Sequence, residues 1–504
     1  MNAPTLEEND AGLILAAEEC PSDKFEGYHS FSQFDDVIIR KLSAHGPVLL
    51  RGGRGSGKSA LLIESHRRMR ATGSAFSIYM SLRYLPLLQS DGSEYIGHFC
   101  SLLSKAIADE LAVQGQSVEF DFAEDEVALQ MSLAKLARAL DKRIVILFDD
   151  AAHIGREKPL EVFFDLFRTL SSNATSCKAS IYPGVTKFGI RFDVFNDSTV
   201  IDISRSDVSG GDHYFSDVIR TRYPKLAHRE IFSDRLTPDA FASLLGRAVV
   251  GNMRAFILAC NRFGDETRIS IPEVNTCLLN MAEDYYWPLM EEVAPKLGVY
   301  EPLVAPATSM FEAIVDHLCR PVRQTSQGSR TIAQDRVTIH RNFVSQFSKI
   351  FEILEYLGFT AKREASRGMK SGGRGPVYAI NLCSLLDQVP TKRLTIEMID
   401  EWIEGKPDLA EIHSSAATFS SVLVPALAPD NKLGILGKDV EVLAKSKAYP
   451  YGLTEDKIAR LKAAGINTVL ELAETPDARL LQIDMVGPAT VKRMRDVMVQ
   501  AIWM

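Results

Sequence analysis

No two cysteines in this chain stand two residues apart. The seven, Cys20, Cys100, Cys177, Cys260, Cys277, Cys319 and Cys383, are scattered. That excludes a disulfide framework and a zinc site of paired cysteines, and it reads as buried thiols in a reducing compartment. Long apolar runs are also missing, since none approaches the roughly 18 residues that a bilayer span needs. The acidic stretch Met1–Asp10 lacks the order of a signal peptide. A cytoplasmic protein that does not contact membranes is the expectation. An excess of positive charge is absent, with 57 Lys and Arg against 65 Asp and Glu and a net charge of −8. A uniformly basic nucleic-acid coat is thereby excluded, whereas local basic patches are not. There is no long internal repeat and no low-complexity tract. What remains is 504 residues, 46% apolar and 24% charged, an ordinary globular composition. The length exceeds the ~250–300 residues that one core fills, so several domains are expected.

One stretch organises the rest. Pro47-Val48-Leu49-Leu50-Arg51 is a short apolar strand, and Gly52-Gly53-Arg54-Gly55-Ser56-Gly57-Lys58-Ser59 has the form GxxxxGK[ST]. Helix-forming residues begin at Ala60. The strand–loop–helix context makes this a phosphate-binding loop. The glycines let backbone N–H groups turn inward at a β-phosphate, beside the positive end of the next helix. Lys58 would reach the β- and γ-phosphates, and the Ser59 hydroxyl would hold Mg²⁺. Binding of a nucleoside triphosphate through residues 52–60, Ala60 included, is the expectation.

Around that loop, helices and strands alternate. The apolar spacing from Phe31 to Ala44 predicts a helix. Strands are expected at 75–80, 143–150, 179–182 and 199–203, and amphipathic helices at 94–114 and 124–141. The run Ile144-Val145-Ile146-Leu147-Phe148 suits the middle of a parallel sheet covered on both faces. A doubly wound α/β domain follows. The strand ends in Asp149-Asp150, placed as a Walker B motif. The first carboxylate would order Mg²⁺ through its water shell, and the second would orient the attacking water. Asp150 is one methylene shorter than glutamate, so slow hydrolysis is expected.

Gly251-Asn252-Met253-Arg254-Ala255 follows in a helical region. With the loop and the Asp-Asp strand end, it resembles the sensor-2 element of AAA+ ATPases, and the whole is similar to their origin-recognition and replication-initiator branch over about residues 25–265. The resemblance implies an AAA+-type P-loop core, a helical lid, an arginine at Arg254 that touches the γ-phosphate, ATP hydrolysis, and a winged helix after the lid. It implies a polar sensor-1 residue for which Tyr182 and Thr186 are the candidates. It also puts Arg191 about where this branch keeps an arginine finger for a neighbouring subunit, the alternative being an ion-paired arginine. Homo-oligomers are implied because such sites complete one another between subunits.

Two later stretches are candidate DNA modules. At 338–382 a helix over Thr338–Leu357, a strand Phe359–Lys362, a glycine-rich loop 367–376 and a strand Val377–Asn381 read as a winged helix. Its basic residues are Lys362, Arg363, Arg367, Lys370 and Arg374, suited to phosphate or minor-groove contact. Residues 450–504 resemble tandem helix-hairpin-helix motifs of the RNA polymerase α C-terminal domain type. Hairpin turns at Gly465 and Gly487 would expose backbone N–H groups to phosphate, the second strengthened by Lys492 and Arg493. The resulting division is a lead-in at 1–25, the ATPase core at 26–208, the lid at 209–300, the winged helix at 301–390, a mixed linker at 391–449 and the helix-hairpin-helix domain at 450–504. ATP-controlled binding to duplex DNA is the expected function. The rival is a STAND-like signalling switch whose C-terminal modules bind a protein partner.

Overall fold

The computed structural model describes residues 14–82, 92–152, 157–185, 188, 191–203, 213–233, 235–264, 266–324, 332–404, 409–425, 427, 434–446 and 452–503. The chain enters through α1 (Gln33–Ser43), opened by a capping box in which Ser32 and Asp35 satisfy each other's backbone N–H. Five strands follow, β1 (Val48–Arg51), β2 (Phe76–Ser81), β3 (Ile144–Ala152), β4 (Thr175–Ile181) and β5 (Thr199–Asp202). They form one parallel sheet in the order β2-β3-β4-β1-β5. Helices α2 (Lys58–Thr72), α3 (Gly92–Val113), α4 (Glu126–Leu140) and α5 (Glu157–Leu170) lie between the strands. Residues Ile144 to Phe148 are fully buried, as a central strand covered on both faces requires. This is the doubly wound α/β fold expected, and the phosphate loop leaves β1 in the crevice beyond the strand ends.

β4 starts four residues before the stretch expected from the sequence. Thr175, Ser176, Lys178 and Ser180 are polar yet buried, which hides the strand from a hydrophobic pattern. Lys178 is satisfied by donating its ammonium to the carbonyls of Ala44, at 2.7 Å, and Gly46.

A helical region follows: α6 (Tyr214–Arg222), α7 (Pro238–Ala248), α8 (Met253–Asn261), α9 (Ile271–Met281), α10 (Trp287–Val293) and α11 (Val304–Gln324). Then come β6 (Arg336–Ile339), α12 (Arg341–Gln346), α13 (Ser348–Leu357), β7 (Thr360–Gly368), β8 (Arg374–Ile380), α14 (Leu382–Gln388), α15 (Ile396–Glu404) and β9 (Ala410–Ile412). The single helix expected over Thr338–Leu357 is therefore the end of a strand and two helices. Val337, Thr338 and Ile339 are buried in a second sheet, of order β7-β8-β6-β9. The expected basic loop 367–376 is also shorter, because β7 and β8 pair out to Gly368↔Arg374 and leave a tight turn over 369–373. The segment expected to be a linker carries structure. β9 pairs with β6, Trp402 donates its indole N–H to the Ala333 carbonyl at 2.9 Å, and Phe419 packs edge-on to Phe343. Residues from Tyr214 to Val422 share one hydrophobic core, with Tyr182 joining it from the first sheet.

The chain ends in α16 (Glu455–Ala463), α17 (Val469–Glu474) and α18 (Pro488–Trp503), whose core is continuous with that of the first sheet. A Lys438–Glu301 ion pair of 2.7 Å ties the segment before α16 to the helical region. Among the described residues no helix is long and apolar enough to cross a membrane.

Candidate nucleotide site

β1 ends at Arg51 and α2 begins at Lys58, with the six loop residues 52–57 between them. Gly55 takes φ +77°, and a Cβ there would lie 2.3 Å from Asn252 Oδ1, so only glycine fits. A Cβ on Gly53 would lie 2.6 Å from the Glu355 carbonyl oxygen. Both glycines mark places where other parts of the chain press on the loop. Asn252 Nδ2 donates to the Arg54 carbonyl at 2.9 Å and the Met253 N–H to the Gly55 carbonyl at 2.8 Å. The Arg54 N–H donates to the Tyr356 carbonyl at 2.9 Å.

Lys58 is buried. Its ammonium donates to the carbonyls of Gly52 (2.8 Å) and Gly53 (3.0 Å) and sits 3.7 Å from the centroid of the Tyr182 ring. Burial pushes its pKa down to about 7, against the opposing pull of Asp149 and Asp150. Asp149, fully buried, accepts hydrogen bonds from the Tyr79 phenol (2.8 Å), the Ser180 hydroxyl (2.6 Å) and the Asp150 N–H (2.9 Å). Three donors fix its orientation. Asp150 has φ +50°, in the left-handed region that costs a non-glycine residue ~1–3 kcal/mol, and it accepts from the Tyr182 phenol at 3.4 Å. Burial pushes the Tyr79 and Tyr182 phenols well above their ordinary values, so both remain donors.

Arg254 lies at the start of α8 against the loop, and it lines the same cleft as Lys58, Ser59, Ala60 and Asp150. Val250 and Gly251, both at positive φ, turn the chain into the Asn252 N-cap that aims α8 at the loop. Tyr28, Phe31, Tyr214 and Val218 give the cleft apolar lining. His29 stacks 4.1 Å from Phe25, and burial pushes its pKa down to about 4, so it serves as a neutral ring. Glu18, from a short 3₁₀ turn (Ala17–Glu19), brings a carboxylate oxygen within 4.8 Å of those of Asp149 and Asp150. With the Ser59 hydroxyl nearby these donors are all hard oxygens, a set that suits Mg²⁺.

The structure thus brings Gly52–Ala60, Asp149, Asp150 and Arg254 together. Arg191 stands apart. It does not line this cleft, and it pairs with Asp165, its Nε 3.7 Å from Oδ2 and its N–H 3.2 Å from Oδ1. Of the two sensor-1 candidates, Tyr182 faces the site and Thr186 lies outside the described residues. The polar residue of β4 that reaches both aspartates is Ser180, two positions before Tyr182. Tyr79, Ser180, Tyr356 and Glu18 had no motif to announce them. Ser180 alone had a positional cue, at the tip of the strand beside Asp149.

A second hollow behind the loop is lined by Arg51, Asp202, Glu352, Glu355 and Lys362. Burial, with Glu352 and Asp202 adding to it, pushes the Glu355 carboxyl up to about 7 against the pull of Lys362 and Arg51. A folded pKa above the unfolded value means that the neutral carboxyl's contribution to stability is fully present below the unfolded pKa and is lost as pH rises through about 7 and the buried group ionises. Glu355→Gln is expected to flatten that dependence. The variant should be little changed at pH 5 and about 1–2 kcal/mol more stable at pH 8, read from urea melts at the two pH values.

The candidate DNA residues fall into two sets. On the hairpin, Arg374 is held across the strands by the Ser366 hydroxyl (2.9 Å) and carbonyl, Arg367 lies 3.4 Å from Glu364, and the Lys370 N–H donates to Glu411. Lys362 and Arg363 border the hollow behind the loop. In the C-terminal helices, Gly465 has φ +79°, as a hairpin turn requires. Its phosphate cradle, however, is filled from within. The Glu471 carboxylate accepts the N–H groups of Asn467 (2.6 Å) and Thr468 (3.0 Å). Gly487 precedes α18, where Lys492 is exposed and Arg493 half-buried.

No family model matches the chain, and no curated protein matches it. Solved structures similar to it include Drosophila ORC bound to DNA, 12% identical over 79% of this chain and 93% of that one, with a TM-score of 0.34. Cdc6p from Pyrobaculum aerophilum is 15% identical over 78% and 98%, with a TM-score of 0.33. The Aeropyrum pernix ORC2 protein in its ADPNP-ADP complexes is 10% identical over 74% and 95%, with a TM-score of 0.34. Likeness at this level leaves function to be read from the residues themselves.

Proposed function

We propose that the chain is an ATP-binding, Mg²⁺-dependent ATPase of AAA+ type that binds duplex DNA under nucleotide control. In this reading the region after Asp202 divides into a lid, a winged helix (β6 to β8) and a helix-hairpin-helix module. The observation that carries the reading is the bond between the Arg54 N–H of the phosphate loop and the Tyr356 carbonyl at the end of α13. α13 leads directly into the basic hairpin. Its polar side is docked on the ATPase core, with Lys349 donating to the Gly184 carbonyl at 2.7 Å and Tyr356 edge-on to Tyr182 at 5.2 Å. Lys58 lies over the same Tyr182 ring. A phosphate that draws Lys58 off that ring would alter the support of α13, and by reciprocity DNA on the hairpin would alter nucleotide affinity. Asp150 orients the attacking water from a short side chain, so turnover is slow. Arg191, exposed beside its partner Asp165, would act on a neighbouring subunit's nucleotide in a homo-oligomer.

The test is fluorescence anisotropy of labelled duplex DNA across a salt series, with and without ATP. Affinity should fall steeply with salt and rise with ATP. Gly53→Ala puts a methyl against the Glu355 carbonyl and should separate the two sites, bringing the ratio of DNA affinities with and without ATP close to one. No salt-sensitive binding in any nucleotide state would sink the DNA reading. A second reading, in which the C-terminal helices bind a protein, is favoured by the self-filled cradle at Gly465. It is favoured too by Arg460, Lys462 and Arg495, which are held by Asp456, Glu441 and Asp477.

A further inference from the structure

Residues 14–19 form part of the wall of the nucleotide cleft. The segment is held at its start, where the Arg222 guanidinium donates to the Ile14 carbonyl. It is closed into a turn by the Glu19 N–H on the Ala16 carbonyl (3.1 Å) and the Cys20 N–H on the Ala17 carbonyl (3.2 Å). The turn sends Glu18 inward, to within 4.8 Å of the Asp149 and Asp150 carboxylates. Three carboxylates that converge this closely repel one another. A divalent cation among them reverses the sign of the interaction.

We propose that Glu18 is a positioning residue for the metal–nucleotide complex, and that residues 14–20 are a strap drawn over the cleft through it. This rests on the phosphate-loop reading above and adds to it a residue from far outside the loop and the Asp-Asp strand end. Asp149 is held by Tyr79, Ser180 and the Asp150 N–H, and Asp150 is turned toward Tyr182. Glu18 brings the longer side chain that the strand end lacks, from a segment whose regular structure among the described residues is one 3₁₀ turn. Closure of the strap is thereby linked to Mg²⁺ and nucleotide together and not to nucleotide alone.

Cys20 reports on the strap directly. It lies two residues beyond Glu18 and is partly exposed, whereas the other six cysteines are buried. The full-length protein is alkylated with iodoacetamide, and the Cys20 peptide is followed by mass spectrometry without nucleotide, with ATP plus EDTA, and with Mg²⁺ plus a non-hydrolysable ATP analogue. Binding of a fluorescent ATP analogue is measured in parallel. Mg²⁺ plus analogue should slow Cys20 alkylation about tenfold, the equivalent of ~1.4 kcal/mol of strap closure, with ATP plus EDTA giving little protection. Glu18→Gln should alkylate at the nucleotide-free rate even at analogue concentrations that saturate it, as the parallel binding measurement records. Equal rates with and without Mg²⁺ plus analogue in a wild-type protein that binds ATP would overturn the strap alone. Equal protection in Glu18→Gln would overturn the role of Glu18. Absence of ATP binding would overturn the phosphate-loop reading and the strap with it.

Discussion

Lys58→Ala is expected to weaken ATP binding by two to four orders of magnitude. The ammonium is buried, its distance from the Gly52 and Gly53 carbonyls is 2.8 and 3.0 Å, and Asp149 and Asp150 are near enough to pull on its charge. In such a desolvated position, removing one partner of a charge pair costs about 3–5 kcal/mol, and each 1.4 kcal/mol is tenfold in affinity. The loss comes from two sources. The phosphates lose their buried cation, and they then face two aspartates with less positive charge between. Equilibrium binding of a fluorescent ATP analogue to the wild type and the variant measures it. An affinity within threefold of wild type would show that Lys58 serves the fold and not a phosphate.

The hairpin variant Arg367→Ala, Lys370→Ala, Arg374→Ala carries the second large effect. Counterion release makes each phosphate neutralised by the protein worth ~0.9 in the slope of log affinity against log salt. Removing these three cations should lower the slope by about 2–3 and the affinity at 0.1 M salt on the order of 10²–10³-fold, uniformly across DNA sequences. The pairing of the hairpin sharpens this expectation. β7 and β8 run together to Gly368↔Arg374, so Arg367 and Arg374 are residues of paired strands, beyond two irregularities in the register between Lys362 and Arg367. The backbone that carries Arg367 and Arg374 is therefore already ordered, and little backbone entropy is left to lose on binding. An unchanged salt slope in the triple variant would rule out the hairpin as a DNA surface.

The sheet and the phosphate loop are legible in the sequence because their physics is local. A buried central strand must be apolar along its length, as Ile144–Phe148 is, and a loop that wraps phosphate must be rich in glycine. β4 reads short because its inward residues are polar and are satisfied by bonds to a loop distant in sequence. Thr338–Leu357 reads as one helix because its apolar spacing continues across a strand, a bend and two helices. The expected linker hides Phe419 and Trp402, whose partners lie far away in the chain. Within the site, Asp149 and Asp150 announce themselves. Tyr79 and Ser180, which orient Asp149, sit on two other strands, and only the register of the sheet brings them beside it. Glu18 is one acid of several near the start of the chain, and its place depends on how the folded chain returns its beginning to the loop.

The core shared by Tyr214 through Val422 has a mechanical meaning. A lid and a hairpin module built on separate cores could tilt independently, and a small change at a phosphate would dissipate between them. Joined by one close-packed interior, α8 and the base of the hairpin would move together as a single lever. Its short arm rests on the phosphate loop through Asn252, Met253 and Tyr356, and its long arm ends in the β7–β8 tip. A rotation about the short arm would be amplified by the length of the long one and would carry the basic ribbon further than it moves the loop.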